Sequence, residues 1–283
     1  MKESKTYPGL FCLKYSRKVF FNNTWNDFLR ECRGLVVDKD WNIVVLPFRK
    51  IHNYGIEKDA PKFESGELVK ATRKVNGFMI ACTWYNGNLL WSTTGSLDSD
   101  FVGYAKDIFN GFSDNEKGTF CNVVKKWPNH TFMFECVHPQ DPHIVHEEPG
   151  LYFIGSRYKD IAENTYFEHS MFNGTGVKEV GHYQVLFEDL QKLAAKVKHE
   201  GFVFYSENYD RSSKIKSPHY LAKKFLMRGN WERFLKPRQD FELPEEFIGL
   251  CHWILEVERE RFFELDEIAR REYIENYFLE TMK

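Results

Sequence analysis

The sequence predicts an α+β chain of largely antiparallel strands carrying a small all-helical appendage at its C-terminal end. Three observations predict it. From the N-terminus to about residue 228, short runs rich in β-branched and aromatic residues alternate with turn chemistry. A few helix-length stretches interrupt them, the pattern of an α+β arrangement. After the proline-bounded segment 235–246 the period changes to that of a helix.

Taken in order, GLVVDKDWNIVVLPF (34–48) reads as two strands joined at Asp38–Asn42, and KVNGFMIACTWYNGNLLWSTTG (74–95) as a strand, an Asn86-Gly87 hairpin turn and a second strand. HTFMFECV, GLYFIGSR and EGFVFYS are three further apolar runs of strand length, and helices are predicted over 100–112 and 187–198. In the tail, Phe247, Leu250, Ile254 and Val257, then Leu265 and Ile268, recur at helical spacing with charged residues between them. The expected boundary separates a main domain, 1–228, from a helical domain, 229–283.

A length of 283 residues suits one large domain with a small appendage. With 42% hydrophobic, 28% charged and 17% aromatic residues the composition is globular and can fill a sizeable core, which excludes a disordered or fibrous chain. A net charge of −2 excludes an indiscriminate polyanion binder. The charge is uneven, however: Arg211–Arg238 holds nine Lys/Arg and one acid, whereas Phe241–Lys283 holds twelve acids and five Lys/Arg. The six cysteines form no close pair, so neither a disulfide framework nor a CxxC metal site is expected. No signal-peptide core and no run of about 18 apolar residues is present. A soluble, reduced, cytoplasmic protein without membrane contact is expected, and no obligate protein partner is apparent.

Lys74, just before Asn76-Gly77 and a strand, reads by itself first as a surface lysine beside a type I′ turn. Three further stretches change that. Glu135 lies inside the apolar run FMFECV, and Glu200 sits at the mouth of GFVFYS. In SSKIKS, Lys214 and Lys216 stand at i and i+2, which on a strand points both to one face, as two oxygens of a phosphate group require. An amine nucleophile, carboxylates able to hold Mg²⁺ and paired lysines form a coherent set for nucleotidyl transfer through a phosphoramidate.

The order of these motifs, K-x-[DN]-G, F-E, an aromatic-rich strand, E-G-F-V and K-x-K, resembles the covalent nucleotidyltransferase superfamily of polynucleotide ligases and capping enzymes. ECRGLVVD and LPFRKIHNYG, with Arg33 and Lys50, resemble the segment preceding the nucleophile in ATP-dependent RNA ligases of the phage RNA ligase 1 type. WSTTGSLDSDF and FECVHPQDPHIVHEEPGLYFIGSR extend the likeness to roughly residues 10–225. The resemblance implies an antiparallel-sheet nucleotidyltransferase (ATP-grasp-like ligase) domain that takes ATP with Mg²⁺, or Mn²⁺ in its place. Its partner would be RNA with 5′-phosphate and 3′-hydroxyl ends, tRNA among them, and a phage or viral origin fits the family.

The resemblance also implies residue roles. Lys74 would attack the α-phosphorus and carry AMP, while Arg33 and Lys50 would contact the β- and γ-phosphates or the RNA 5′-phosphate. Glu135 would take the ribose hydroxyls and, with Glu200, belongs to the expected metal set. Lys214 and Lys216 would clamp the α-phosphate, Ile154 and Val203 would sandwich adenine, and Asn76 and Gly77 would line the nucleotide. Two positions depart from the family pattern: Asn76 stands where an aspartate is usual, and His143 where an arginine is expected after the third motif.

Other readings are weaker. His138, His143 and His146 match no zinc spacing, and TTGSLDS lacks the glycines and lysine of a P-loop. Lys223, Lys224, Phe225, Arg228, Trp231 and Arg233 mix stacking and phosphate-binding residue types, as an RNA-contacting or merely amphipathic helix would. The rival functions are a DNA ligase or capping enzyme, a catalytically weak module binding nucleotide or RNA ends, and a protein-modifying adenylyltransferase. The helical tail, lacking the many short strands of an OB barrel, argues against the first pair.

Overall fold

A computed structural model describes residues 1–57, 59–162, 165–166, 169–228 and 247–282. The chain divides into two compact units, Met1–Lys50 with Val75–Gly181 and Ile51–Lys74 with His182–Lys283. The expected boundary after residue 228 coincides with the start of 229–246, which lies outside the described residues.

The first unit contains two antiparallel sheets. One runs in the order β1 (Lys2–Glu3), β2 (Phe11–Lys14), β3 (Arg33–Val37), β4 (Ile43–Val45). Two short helices, α1 (Arg17–Phe21) and α2 (Asp27–Glu31), lie between β2 and β3. In the turn 38–42, Asp38 Oδ1 accepts from the N–H groups of Asp40 and Asn42, both at 2.9 Å. The second sheet draws on β7 (Phe78–Tyr85), β8 (Asn88–Thr93), β9 (His130–Val137), β10 (Gly150–Tyr158) and β11 (Thr165–Tyr166), in the order β11-β10-β9-β7-β8. Asn86 and Gly87 both have positive φ, 47° and 81°, the predicted type I′ geometry between β7 and β8.

Helices α3 (Asp100–Asn110) and α4 (Asp114–Lys126) contribute to this unit's core. The sequence S-D-N-E sets the start of α4: Ser113 and Glu116 cap each other reciprocally. Much of the aromatic content is used here, where Phe120 stacks on Trp91 at 5.6 Å and meets Phe134 and Phe172.

The second unit is built on one sheet. Its strands are β5 (His52–Asn53), β6 (Leu68–Arg73), β12 (His182–Leu186), β13 (Gly201–Ser206) and β14 (Ser212–Lys216), in the order β12-β6-β13-β14-β5. All pairs are antiparallel except β14–β5. One face carries Val69, Ala71, Phe202, Phe204 and Ile215 and packs against Phe187, Leu190 and Ala194 of α5 (Phe187–Lys196). The apolar face leaves the other for polar chemistry.

Helices do follow residue 246, as the period predicts, but as separate pieces: α7 (Ile248–Glu256), α8 (Arg259–Glu264) and α9 (Glu267–Thr281), preceded in the chain by α6 (Pro218–Arg228). The apolar stripe is redistributed accordingly. Val257 ends α7 and is 57% exposed, and Ile268, in the first turn of α9, is 72% exposed, while Ile274 and Phe278 are buried instead. Among the described residues no helix is long and apolar enough to cross a membrane.

Candidate active site

The K-x-N-G motif straddles the unit boundary, Lys74 closing one segment and Val75 opening the next. Asn76-Gly77 is not a hairpin turn: neither residue has positive φ, and β6 and β7 pair in different sheets. Gly77 is required for another reason. A Cβ there would stand 2.3 Å from the Cys136 carbonyl oxygen, so only a residue without a side chain lets the backbone pass.

In the second unit, β6 delivers Lys74. Its N–H donates to Gly201 O at 2.8 Å, extending the β6–β13 pairing one residue past Arg73. Lys74 Nζ then lies 3.0 Å from Glu200 Oε2. Glu200 is 3% exposed, and its other oxygen is 3.5 Å from Lys216 Nζ. The backbone fixes it from the β14 side too, since Ser217 N–H donates to Glu200 O at 2.9 Å and Ser217 Oγ–H to His199 O at 2.7 Å. Burial pushes the Glu200 carboxyl up, but Lys74, Lys216 and Lys214 outweigh it and hold it below its ordinary value. Burial and the Arg73 charge together push His199 down.

Strand register places further predicted residues on the face opposite α5. Val203 pairs with Lys214 and with Thr72, and Gly201 pairs with Lys216. Directly opposed residues share a face, so Lys70, Thr72, Val203, Lys214 and Lys216 lie together on this polar side. Lys70 is already engaged, donating to Glu207 O at 2.8 Å with its ammonium 4.3 Å from the Tyr209 ring centre. Lys216 Nζ also lies 5.4 Å from the Tyr220 ring centre.

In the first unit, β9 sends Phe132, Phe134 and Cys136 into the aromatic core and Glu135 to the other face. Glu135 is 9% exposed and accepts the Gly77 N–H at 3.2 Å. Asn76 is buried, and its Oδ1 accepts the Val145 N–H at 3.0 Å, tying the motif to the loop between β9 and β10. Ile154 lies at the register shift of β10 against β9, half-buried beside Val75, Val137, Tyr152 and Val180. A bulge re-aims the residue it carries. Arg33 is half-buried, with Nη1 3.7 Å from Met79 Sδ. Lys50 is buried, with Nζ 5.2 Å from the Phe20 ring centre and 5.4 Å from that of Trp25.

The histidines of the 138–146 loop have separate roles. His138 stacks on Tyr104 at 4.6 Å, His143 Nε2 lies 2.7 Å from Asp141 Oδ2, and His146 is exposed. Among the described residues no group of three or more His, Cys, Asp or Glu is placed to share a metal ion. Glu200 is a carboxylate held between the ammonium groups of Lys74 and Lys216. Mg²⁺ commonly uses one or two protein carboxylates, completing its shell with waters and phosphate oxygens, so such a residue suits a metal that arrives with a nucleotide.

Three features had no counterpart in the sequence reading. Glu31 and Arg157 form a buried two-point ion pair at 2.5 and 3.2 Å. His52 and Asn53 are held by Glu57, which lies 2.6 Å from His52 Nδ1 and accepts Asn53 N–H at 2.7 Å. The third is the aromatic seat of Lys50. Glu31–Arg157 and the seat of Lys50 have no local signal, because each joins residues that only the fold brings together, whereas Glu57 caps a turn four and five residues after Asn53 and His52.

The largely antiparallel sheets that carry Lys74, the buried Glu200 and Lys216 have the nucleotidyltransferase fold of ATP-dependent polynucleotide ligases. The RNA ligase family model matches residues 31–225, and the chain belongs to that family, of the phage RNA ligase 1 type. It is 25% identical over 218 residues to a protein named as a bifunctional polynucleotide kinase/RNA ligase of Autographa californica nuclear polyhedrosis virus. That match covers 68% of this chain and 30% of the relative, so the chain spans less than a third of that relative's length. Among solved structures it is similar to an archaeal ATP-dependent RNA ligase (form 2), with a TM-score of 0.56, 13% identity, and coverage of 87% of this chain and 67% of the other. An Aquifex aeolicus protein named as an ATP-dependent DNA ligase superposes with a TM-score of 0.54, 16% identity, and coverage of 93% and 71%. At these identities the likeness is one of fold.

Proposed function

We propose that the chain is an ATP-dependent RNA ligase that joins 5′-phosphate and 3′-hydroxyl RNA ends through a lysyl-AMP at Lys74. The observation that carries the reading is the group Lys74–Glu200–Lys216, an amine nucleophile and a phosphate-binding lysine held by one buried carboxylate. In the first step the Lys74 nitrogen, having given up its proton, forms a bond to the α-phosphorus of ATP as the bond to pyrophosphate breaks. Lys214 and Lys216, on one sheet face, stabilise the charge that builds on the α-phosphate oxygens. A divalent cation, Mg²⁺ or Mn²⁺, would be held by Glu200, with Glu135 the second carboxylate of the expected set, and would supply neutralisation of phosphate charge.

Glu135 would take the ribose hydroxyls, Ile154 and Val203 the adenine faces, and Arg33 and Lys50 the distal phosphates and later the RNA 5′-phosphate. Asn76 and Gly77 line the nucleotide. AMP then passes to the RNA 5′-phosphate, and attack by a 3′-hydroxyl seals the strand with release of AMP. Repair of broken RNA, tRNA included, is the role the family supports, in a reducing cytoplasm that suits six cysteines outside disulfides.

Intact mass after incubation with ATP and Mg²⁺ tests the reading. The wild type should gain one adenylate and Lys74→Ala none, and 5′-phosphorylated RNA should discharge the adduct. Because one fold neighbour is named as a DNA ligase, discharge by nicked DNA but not by RNA would replace this reading with that one.

A further inference from the structure

Helix α6 begins two residues after Lys216, and its groove with α9 differs in character from the acidic tail around it. The groove, about 360 Å³, is lined by His219, Lys223, Leu226, Met227, Ile268 and Arg271. His219, Lys223 and Leu226–Met227 recur at helical spacing on one face of α6. Ile268 and Arg271 stand three apart on α9. Met227 is 61% exposed and Ile268 72%, a large apolar surface for two neighbouring side chains.

The charged side chains of the lining are the cations Lys223 and Arg271. Arg271 Nη2 lies 2.7 Å from His219 Nδ1, and burial together with the charges of Arg271, Lys198 and Lys223 pushes His219 down. Glu275 opposes them, 3.1 Å from Arg271 and 3.6 Å from His219. Phosphate oxygens answer the Lys223 and Arg271 cations, and the faces of unstacked bases cover the exposed apolar surface of Met227 and Ile268.

We propose that the α6–α9 groove is a binding track for single-stranded RNA, with Lys223 and Arg271 on backbone phosphates and Met227 and Ile268 beneath the bases. The proposal rests on the ligase reading for its choice of RNA. Helix α6 starts at Pro218, two residues past Lys216, so an RNA end brought to the α-phosphate that Lys214 and Lys216 clamp continues along α6. Backbone contacts of this kind are indifferent to sequence and sensitive to salt.

The test is fluorescence anisotropy of the full chain with a labelled, 5′-phosphorylated single-stranded RNA 12-mer, titrated over a salt series and in two unrelated sequences. Lys223→Gln/Arg271→Gln should weaken binding about tenfold for both sequences and lower the salt slope by about 0.7 per charge removed. Lys223→Gln alone, at an exposed position, should show about half the slope change, and Lys223→Arg should retain wild-type binding. Unchanged affinity and slope in the Gln variants overturn the proposal, as does tighter binding of a poly-glutamate 12-mer than of RNA. Adenylate adduct yield, read by mass on the same samples, separates the two readings. Its absence in the wild type defeats the ligase reading, while the anisotropy result decides the groove independently.

Discussion

Lys74 Nζ lies 3.0 Å from one oxygen of Glu200, and Lys216 Nζ 3.5 Å from the other. One buried acid therefore holds two cations of the predicted phosphate site at the ends of β6 and β14. Such a carboxylate is tolerable in the interior only because it is paired, and removing either side strands a buried charge.

This coupling fixes a pH dependence. The Glu200 carboxyl is held below its ordinary 4.5 in the folded chain, so its stabilising effect is complete above about pH 4.5 and is lost as pH falls through the folded value. Glu200→Gln should therefore melt below the wild type at neutral pH, with the gap closing under acid. Melting curves from pH 3 to 7 check this. A constant gap across the series would mean that Glu200 does not titrate against its lysines.

Gly201 follows Glu200 and makes the first pair of β13, with Lys216. Its φ is +135°, and a Cβ would lie 2.1 Å from Ile215 O and 2.8 Å from Lys216 Cα, both backbone atoms that cannot yield. Gly201→Ala should thus part β13 from β14 where Glu200 meets Lys216, at a cost of about 3 kcal/mol or more. Gly87→Ala is the comparison, because Gly87 also has positive φ but nothing within 4 Å of its Cβ. It should lose only about 1 kcal/mol. Urea midpoints measure both, and equal losses would remove the case for a close approach at Gly201.

These contacts show what the sequence could and could not disclose. Lys74, Glu135, Glu200, Lys214 and Lys216 were legible because each is a charged residue in or beside an apolar strand run, and strand period alone puts Lys214 and Lys216 on one face. The Asn86-Gly87 hairpin was legible from its turn chemistry. Asn76-Gly77 carries the same dipeptide, yet its local preference is overridden by the passage of Gly77 against Cys136. Phe20, Trp25, Glu31 and Arg157 left no trace, since contacts across more than 20 residues of chain have no local period. In the tail the helical period was legible, but Val257 and Ile268 fall at helix ends and are exposed, because breaks after Glu256 and Glu264 divide the described tail into three helices.

Asn76 replaces the usual aspartate of the family, and its Oδ1 accepts the Val145 N–H at 3.0 Å. An aspartate keeps that acceptor and adds a negative charge beside the proposed metal and nucleotide. Asn76→Asp should therefore fold and lower the Mg²⁺ concentration that half-saturates adduct formation, with the adduct endpoint unchanged. A Mg²⁺ titration read by intact mass checks it. An unchanged midpoint would show that position 76 serves the 138–149 loop and not the metal.

Lys50 is 6% exposed, and its ammonium sits above two rings, Phe20 at 5.2 Å and Trp25 at 5.4 Å. Each such contact is worth about 0.5–2 kcal/mol when water is excluded, so the rings fix where a flexible four-carbon stem places its charge. If Lys50 meets the distal phosphates of ATP, Phe20 and Trp25 are positioning residues for that contact. Trp25→Leu should then raise the half-saturating ATP concentration for adduct formation several-fold, with the rate at saturating ATP little changed, and Trp25→Phe should recover most of the loss. The decisive comparison is the double variant. If Trp25 acts through Lys50, Trp25→Leu should add almost nothing to the defect of Lys50→Ala, a non-additivity expected only of coupled residues. Fully additive effects would show that the aromatic pair holds up the α1–α2 segment and leaves ATP binding to Lys50 alone.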